Sequence, residues 1–170
     1  MPRNPISALI WGVALSTFVS TSHAKTYVAA ALGATHSQER DQVSSSVELT
    51  GGMVLLPNFY VEASYLDLGD TLPEQGAYTI NVSGVSFAGK AMLPLSERLD
   101  FFAKMGFYLW DAKQNFGDIT YSTGNGQDMT YGGGLAWRTH QQFDVSLEYK
   151  ELHLADEPKQ QLSLGVTYAF

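Results

Sequence analysis

The residues most able to do chemistry in this 170-residue chain are few and scattered. Acyl transfer or hydrolysis would need a histidine beside a serine and a carboxylate, so that the imidazole can take the proton of the attacking hydroxyl. Beyond residue 24 there are three histidines. His36 precedes Ser37 where a polar segment begins, and His140 falls in a short polar turn. His153 has Glu151 and Asp156 near it, but Leu154 and Ala155 follow rather than a serine. No catalytic residue is expected from these, and the chain reads as a non-enzyme. Glu39 with Asp41, and Asp67 with Asp70, lack the regularly spaced oxygen ligands of a calcium loop. They read as solvated charges, and no metal is expected. Gly132-Gly133-Gly134 and Gly124-Asn125-Gly126 are not phosphate cradles. The first lies in an extended run where it relieves crowding; the second reads as a turn, with Asn-Gly supplying positive φ. No cofactor is expected.

The segment 114–127, QNFGDITYSTGNGQ, offers a different kind of site. Phe116, Ile119 and Tyr121 give it more apolar character than solvation requires, so it is a candidate surface for contact with another molecule. The plainer reading is an extension of the hairpin that carries it.

The elements that must position these residues are strands. From residue 25 onward the apolar spacing is two, with no convincing helical period. Eight segments emerge, at 27–35, 44–55, 59–68, 78–93, 101–113, 128–138, 143–154 and 161–170. In the seventh, Phe143, Val145, Leu147 and Tyr149 alternate with Asp144, Ser146, Glu148 and Lys150. In the last, Leu162, Leu164, Val166, Tyr168 and Phe170 alternate with Ser163, Gly165, Thr167 and Ala169. Short turns at 56–58, 95–99 and 139–142 alternate with longer polar loops starting at His36, Gly69, Gln114 and Ala155. Each segment suffices for the roughly nine to eleven tilted residues that carry a strand across a bilayer.

Residues 1–24 are laid out as a secretory signal: Arg3, an apolar run over 6–19, then Ser22-His23-Ala24. Cleavage after Ala24 would leave one domain, 25–170. The chain has no cysteine, so no disulfide framework supports it. Seventeen acidic residues against ten basic ones argue against a nucleic-acid partner. Periodicity alone leaves open which face is inside. Small residues on the polar face (Gly84, Gly106, Gly132, Gly134, Gly165) suit a narrow lumen, and aromatics at both ends of the apolar face suit interfacial girdles. The expected fold is all-β, an eight-stranded antiparallel up-and-down transmembrane barrel.

Several stretches resemble the OmpA-like outer-membrane β-barrel family, specifically its eight-stranded transmembrane domain without the periplasmic peptidoglycan-binding domain. They are VSFAGKAMLPLSERLDFFAKMGFYLWDAKQ from Val85, TYGGGLAWRTHQQFDVSLEYKE from Thr130, the terminal LSLGVTYAF, Tyr27 to Gly33, and Asn58 to Tyr65. The resemblance implies a packed polar lumen crossed by ion pairs. Glu62, Lys90, Lys104 and Glu148 fall on matching positions, with a direct Glu62–Lys90 pair as the simplest wiring, since two partners on strands six and seven are Ala136 and Ser146 here. Such charges would fix register as interior glue or, alternatively, gate ion leakage. The resemblance further implies a terminal assembly signal, Tyr168 and Phe170, read by the barrel assembly machinery and by periplasmic chaperones. It places the protein in the outer membrane, among its lipids and lipopolysaccharide. Its role there is structural or interactive, toward a host surface or other envelope proteins. The alternatives are a small non-specific porin-like channel and, third, a soluble periplasmic ligand-binding barrel.

Overall fold

The structure is a computed structural model and describes residues 26–37, 42–71, 79–116, 119–154 and 157–170. The expected signal segment, 1–24, lies outside the described residues. Eight strands follow one another: β1 (Thr26–Ser37), β2 (Gln42–Leu56), β3 (Phe59–Thr71), β4 (Thr79–Pro94), β5 (Leu99–Phe116), β6 (Ile119–Arg138), β7 (Phe143–Leu154) and β8 (Glu157–Ala169). Each pairs antiparallel with its sequence neighbour, and β8 pairs back onto β1, so the sheet closes. Closure satisfies the backbone ladder on both sides of the strands within the band, which is the condition for surviving in hydrocarbon.

The alternation resolves in one direction. Leu32, Leu49, Phe87, Met105, Leu135, Leu147 and Leu164 face outward and are exposed. Their chain neighbours on the other face include Glu48, Glu62, Ser86, Glu148, Lys150 and Ser163, all buried. A barrel apolar outside and charged inside is inverted relative to a water-soluble one, and the periplasmic ligand-binding alternative fails on this point. The band has defined edges. On β6 it runs from Met129 to Trp137, which at about 3.3 Å per residue and a tilt of about 40° is roughly 20 Å tall. At the end carrying both termini it is ringed by Phe59, Phe101, Trp137, Phe143 and Phe170; toward the other end stand Tyr65, Tyr131 and Tyr149.

At the termini end the turns are tight. Pro57-Asn58 joins β2 to β3, with Asn58 at φ 66° in the left-handed region that Asn tolerates. At the opposite end the structure corrects the sequence reading. The strands run on past the band, leaving only 38–41, 72–78, 117–118 and 155–156 between them. The expected loop 114–127 is the upper part of the β5–β6 hairpin, with Phe116 paired to Ile119 and Gln114 to Tyr121. Gly124-Asn125-Gly126 is not a turn but part of β6, just before a bulge where Ala112 faces Gly124 and Lys113 faces Ser122. Above the band the outward face meets water rather than hydrocarbon, so apolar residues are no longer required on it while the backbone ladder still gains by continuing.

Glycine is required where walls and contents meet. A Cβ on Gly134 would stand 2.8 Å from the Phe102 ring and collide with the Leu147 carbonyl oxygen. Gly134→Val is therefore expected to destabilise the barrel by about 1–3 kcal/mol through overpacking. Urea unfolding of protein refolded in vesicles checks this, and an unchanged midpoint would refute it.

Candidate functional site

The lumen gathers side chains from most of the wall. Glu62 on β3, Lys104 on β5, Glu148 and Lys150 on β7, Lys90 on β4 and Glu48 on β2 all point into it, because the period of two puts their apolar neighbours on the lipid face. They form one chain of alternating sign. Lys90 Nζ lies 3.3 Å from Glu62 Oε1, and Lys104 Nζ lies 2.8 Å from both Glu62 Oε2 and Glu148 Oε2. Lys150 Nζ continues the chain, 3.5 Å from Glu148 Oε1 and 2.6 Å from Glu48 Oε2. Three ammonium groups face three carboxylates, so the buried charge sums to zero.

The ends of the chain are finished differently. Glu62 also accepts a hydrogen bond from the Tyr27 hydroxyl. The Lys90 ammonium sits over the Phe102 ring at 4.6 Å and near the Tyr27 ring at 5.5 Å, where the ring faces stabilise a cation. At the other end Glu48 lies beside Thr50, whose hydroxyl is 2.8 Å from that of Ser64. A gap bordered by Glu48, Glu62, Lys104 and Lys150 admits the centre of a water-sized sphere over just ≈ 10 Å³, room for about one water molecule.

The four charges named from the sequence thus stand together, with different wiring. Glu62 contacts Lys90, but its shorter contact is to Lys104. Glu48 and Lys150 were missed, although the alternations Val47-Glu48-Leu49 and Tyr149-Lys150-Glu151 mark both as lumen-facing.

Layers lie on either side. Toward the termini, Arg138 Nη2 donates to Asp100 Oδ2 at 2.9 Å and Nη1 to the Glu97 carbonyl at 3.1 Å. Toward the opposite end, Leu66, Leu68, Val82, Tyr108 and Leu152 make an apolar cluster inside the barrel, with Ile80, Trp110 and Ala112 packed against it. That cluster was not anticipated.

Of the remaining sequence candidates, the side chains of Phe116, Ile119 and Tyr121 lie outside the described residues, and their backbone forms the tip of the β5–β6 hairpin. Tyr168 and Phe170 face outward beside Phe143, the ring centroids 5.0 and 5.1 Å apart in sequence along the trio. His36 lies on β1, His140 between β6 and β7, and His153 on β7 with Nε2 3.5 Å from Glu151 Oε1. Among the described residues no cluster of three or more His, Cys, Asp or Glu side chains could hold a metal ion.

Two features mark the end away from the termini. Pairing between β6 and β7 begins at Thr130 with Leu152, and among the described residues the stretch 119–127 of β6 pairs with β5. The outer parts of β4, β5 and β6 form a ribbon whose β6 side, over 119–127, pairs with no further strand among the described residues. This end also holds the excess charge. Among the described strand ends Asp67, Asp111, Asp128 and Glu151 lie there, against Lys113 and Lys159.

Comparison with known proteins agrees with this architecture. The profile described as "Outer membrane protein beta-barrel domain" matches residues 6–170. No curated protein matches the chain by sequence. Among solved structures, the Neisserial surface protein A superposes with a TM-score of 0.74 at 12% identity, covering 88% of this chain and 98% of that one. The N-terminal β-barrel domain of Pseudomonas aeruginosa OprF gives 0.63 at 12% identity, covering 87% and 100%. Ail, the attachment invasion locus protein of Yersinia pestis, gives 0.60 at 16% identity, covering 86% and 97%.

Proposed function

Since the chain belongs to the outer membrane protein β-barrel family, we propose that it serves as a structural and surface-contact protein of the outer membrane, working through its outer end. Short turns and both termini belong on the periplasmic side of such barrels, which puts the β4–β6 ribbon outside the cell. The observation that carries the reading is that ribbon. The backbone of 119–127, which among the described strands pairs only with β5, is a surface that another chain can meet. The ion-pair chain that fills the inner lumen favours the outer end over the bore as the working part.

Charge narrows the partner. An outer end whose described strand ends carry four carboxylates and two cations repels polyanions and favours a cationic or neutral surface. The Yersinia protein has been solved in complex with a heparin analogue, sucrose octasulfate; this chain's outer end is ill suited to such a ligand. Contact with lipopolysaccharide phosphates would run through divalent cations rather than through lysine or arginine clamps. The lipid-facing wall meets outer-membrane lipids directly.

Deleting 113–122 joins Ala112 to Thr123 and shortens the ribbon without touching the band. Cells carrying this variant are expected to lose most of their attachment to host cells or to partner envelope proteins. The purified barrel should keep its heat-modifiable gel shift and, like the parent, should not be retained on heparin at physiological salt. Undiminished attachment by a folded, surface-exposed variant would remove the reading.

A further inference from the structure

The outward face of the β4–β6 ribbon carries a groove that neither the lumen nor the backbone edge accounts for. Its volume is ≈ 480 Å³, and the register sets two rows of outward side chains along it. Val85, Leu109 and Gln127 make the inner row; Ser83, Asp111 and Asn125 make the outer one. The back of the groove is fixed from inside the barrel. There the Trp110 ring lies over Gly126, and its indole N–H donates to Asp128 Oδ2 at 2.6 Å. Just beyond the groove a bulge separates Ala112 from Lys113 in the pairing with β6, and an extra residue of this kind bends a ribbon.

Depth says what lies against this face. On β5 the outward positions read Phe107, Leu109, Asp111 from the membrane toward the outer end. At about 3.3 Å per residue and a tilt of about 40°, Asp111 stands roughly 10 Å beyond Phe107, at headgroup depth. Val85 and Leu109 are exposed and continue the lipid-facing band into the groove. The other four side chains are a hydroxyl, a carboxylate and two carboxamides, a set that accepts from and donates to neighbouring hydroxyl and amide groups. Among the described residues that line it there is no lysine or arginine to clamp a phosphate. The complementary ligand is hydrocarbon at its inner end and rich in hydroxyl and amide groups at its outer end. In the outer leaflet that describes an acylated sugar.

We propose that the groove binds the sugar portion of an outer-leaflet glycolipid. The inference rests on the outward orientation adopted above. It gives the ribbon a ligand on its face, separate from the chain met at its edge.

Native mass spectrometry of the refolded barrel, titrated with lipid A in detergent containing magnesium, tests it. The purified barrel reads the groove without reference to attachment, so the two proposals fail separately. The parent should retain one lipid A. Asn125→Leu with Gln127→Leu removes both carboxamides and should weaken that binding by about tenfold or more. Ser83→Tyr fills the groove and should do the same. Both variants should keep the gel shift of a folded barrel; if the leucine pair does not, Ser83→Tyr is read alone. Gln160→Leu alters an outward polar residue on β8, away from the groove, and should bind as the parent does. Phosphatidylethanolamine, which has acyl chains but no sugar, should not displace lipid A. Full retention by the folded groove variants would overturn the proposal. So would equal weakening by Gln160→Leu, or displacement by phosphatidylethanolamine at equal concentration.

Discussion

Lys104→Met is expected to cost about 3–5 kcal/mol of folding stability, the range for breaking a buried ion pair by removing one partner. Lys104 is the centre of the chain, 2.8 Å from each of two carboxylates. Without it, Glu62 keeps Lys90 at 3.3 Å and the Tyr27 hydroxyl, and Glu148 keeps Lys150 at the longer 3.5 Å. The lumen then carries one uncompensated negative charge, in a space with room for about one water molecule. Lys90→Met removes a cation from the end of the chain and leaves Glu62 with both Lys104 and the Tyr27 hydroxyl. Its expected cost is smaller, about 1–2 kcal/mol, mainly the lost cation–π contact and one long ion pair. Urea titration of protein refolded in vesicles measures both. The double variant Lys104→Met with Glu62→Gln restores neutrality and should recover part of the loss, whereas a surface pair would show neither the penalty nor the recovery. High salt should leave the difference intact, because the groups are buried from the screening ions. Equal costs at the two lysines would show that position in the chain does not matter and would refute the argument.

How much of this was legible in the sequence follows from where physics imposes a period. Across the band, each strand faces hydrocarbon on one side and a polar lumen on the other, so Phe143-Asp144-Val145-Ser146 can be read directly. The turn at Pro57-Asn58 is likewise local chemistry. Above the band the outward face turns polar: Asp111 and Lys113 on β5 and Asn125 and Gln127 on β6 lie on it while Trp110 and Ala112 pack inward, so the apolar-out pattern stops although the strands continue. Gly124-Asn125-Gly126 has the composition of a turn, but the ladder opposite it continues, and Gly126 is small because the Trp110 ring lies over it. The ion pairs were half legible for a different reason. A resemblance carries over only the positions it matches, which returned Glu62, Lys90, Lys104 and Glu148 but left out Glu48 and Lys150. The apolar cluster was not legible. Leu66 and Leu68 on β3, Val82 on β4, Tyr108 on β5 and Leu152 on β7 are far apart in sequence, and only the register of the closed sheet brings them together.

Deleting Phe170 is expected to separate assembly from stability. In the finished barrel its contribution is modest: its N–H donates the last bond of the β1–β8 seam to the Thr26 carbonyl at 2.9 Å, and its ring meets Tyr168 edge-on. The ring is otherwise 67% exposed on the lipid side, where removal leaves no cavity. One backbone bond and one aromatic contact sum to about 1–2 kcal/mol, and the ladder would still close through Tyr27 with Ala169. In cells the demand is different. The terminal aromatic, with Tyr168 two residues before it on the same face, is the pattern that the family resemblance assigns to recognition by the assembly machinery, before any seam exists. The amount of heat-modifiable protein formed in the minutes after synthesis should therefore fall by about tenfold, a change in rate worth about 1.4 kcal/mol of barrier. The same variant refolded into vesicles should unfold in urea close to the parent. Phe170→Tyr keeps an aromatic at the end and should restore assembly, which a simple loss of the seam hydrogen bond could not account for, since Phe170→Ala keeps that bond and should still assemble slowly. If the deletion lowered assembly and urea stability in proportion, Phe170 would be a packing residue and nothing more.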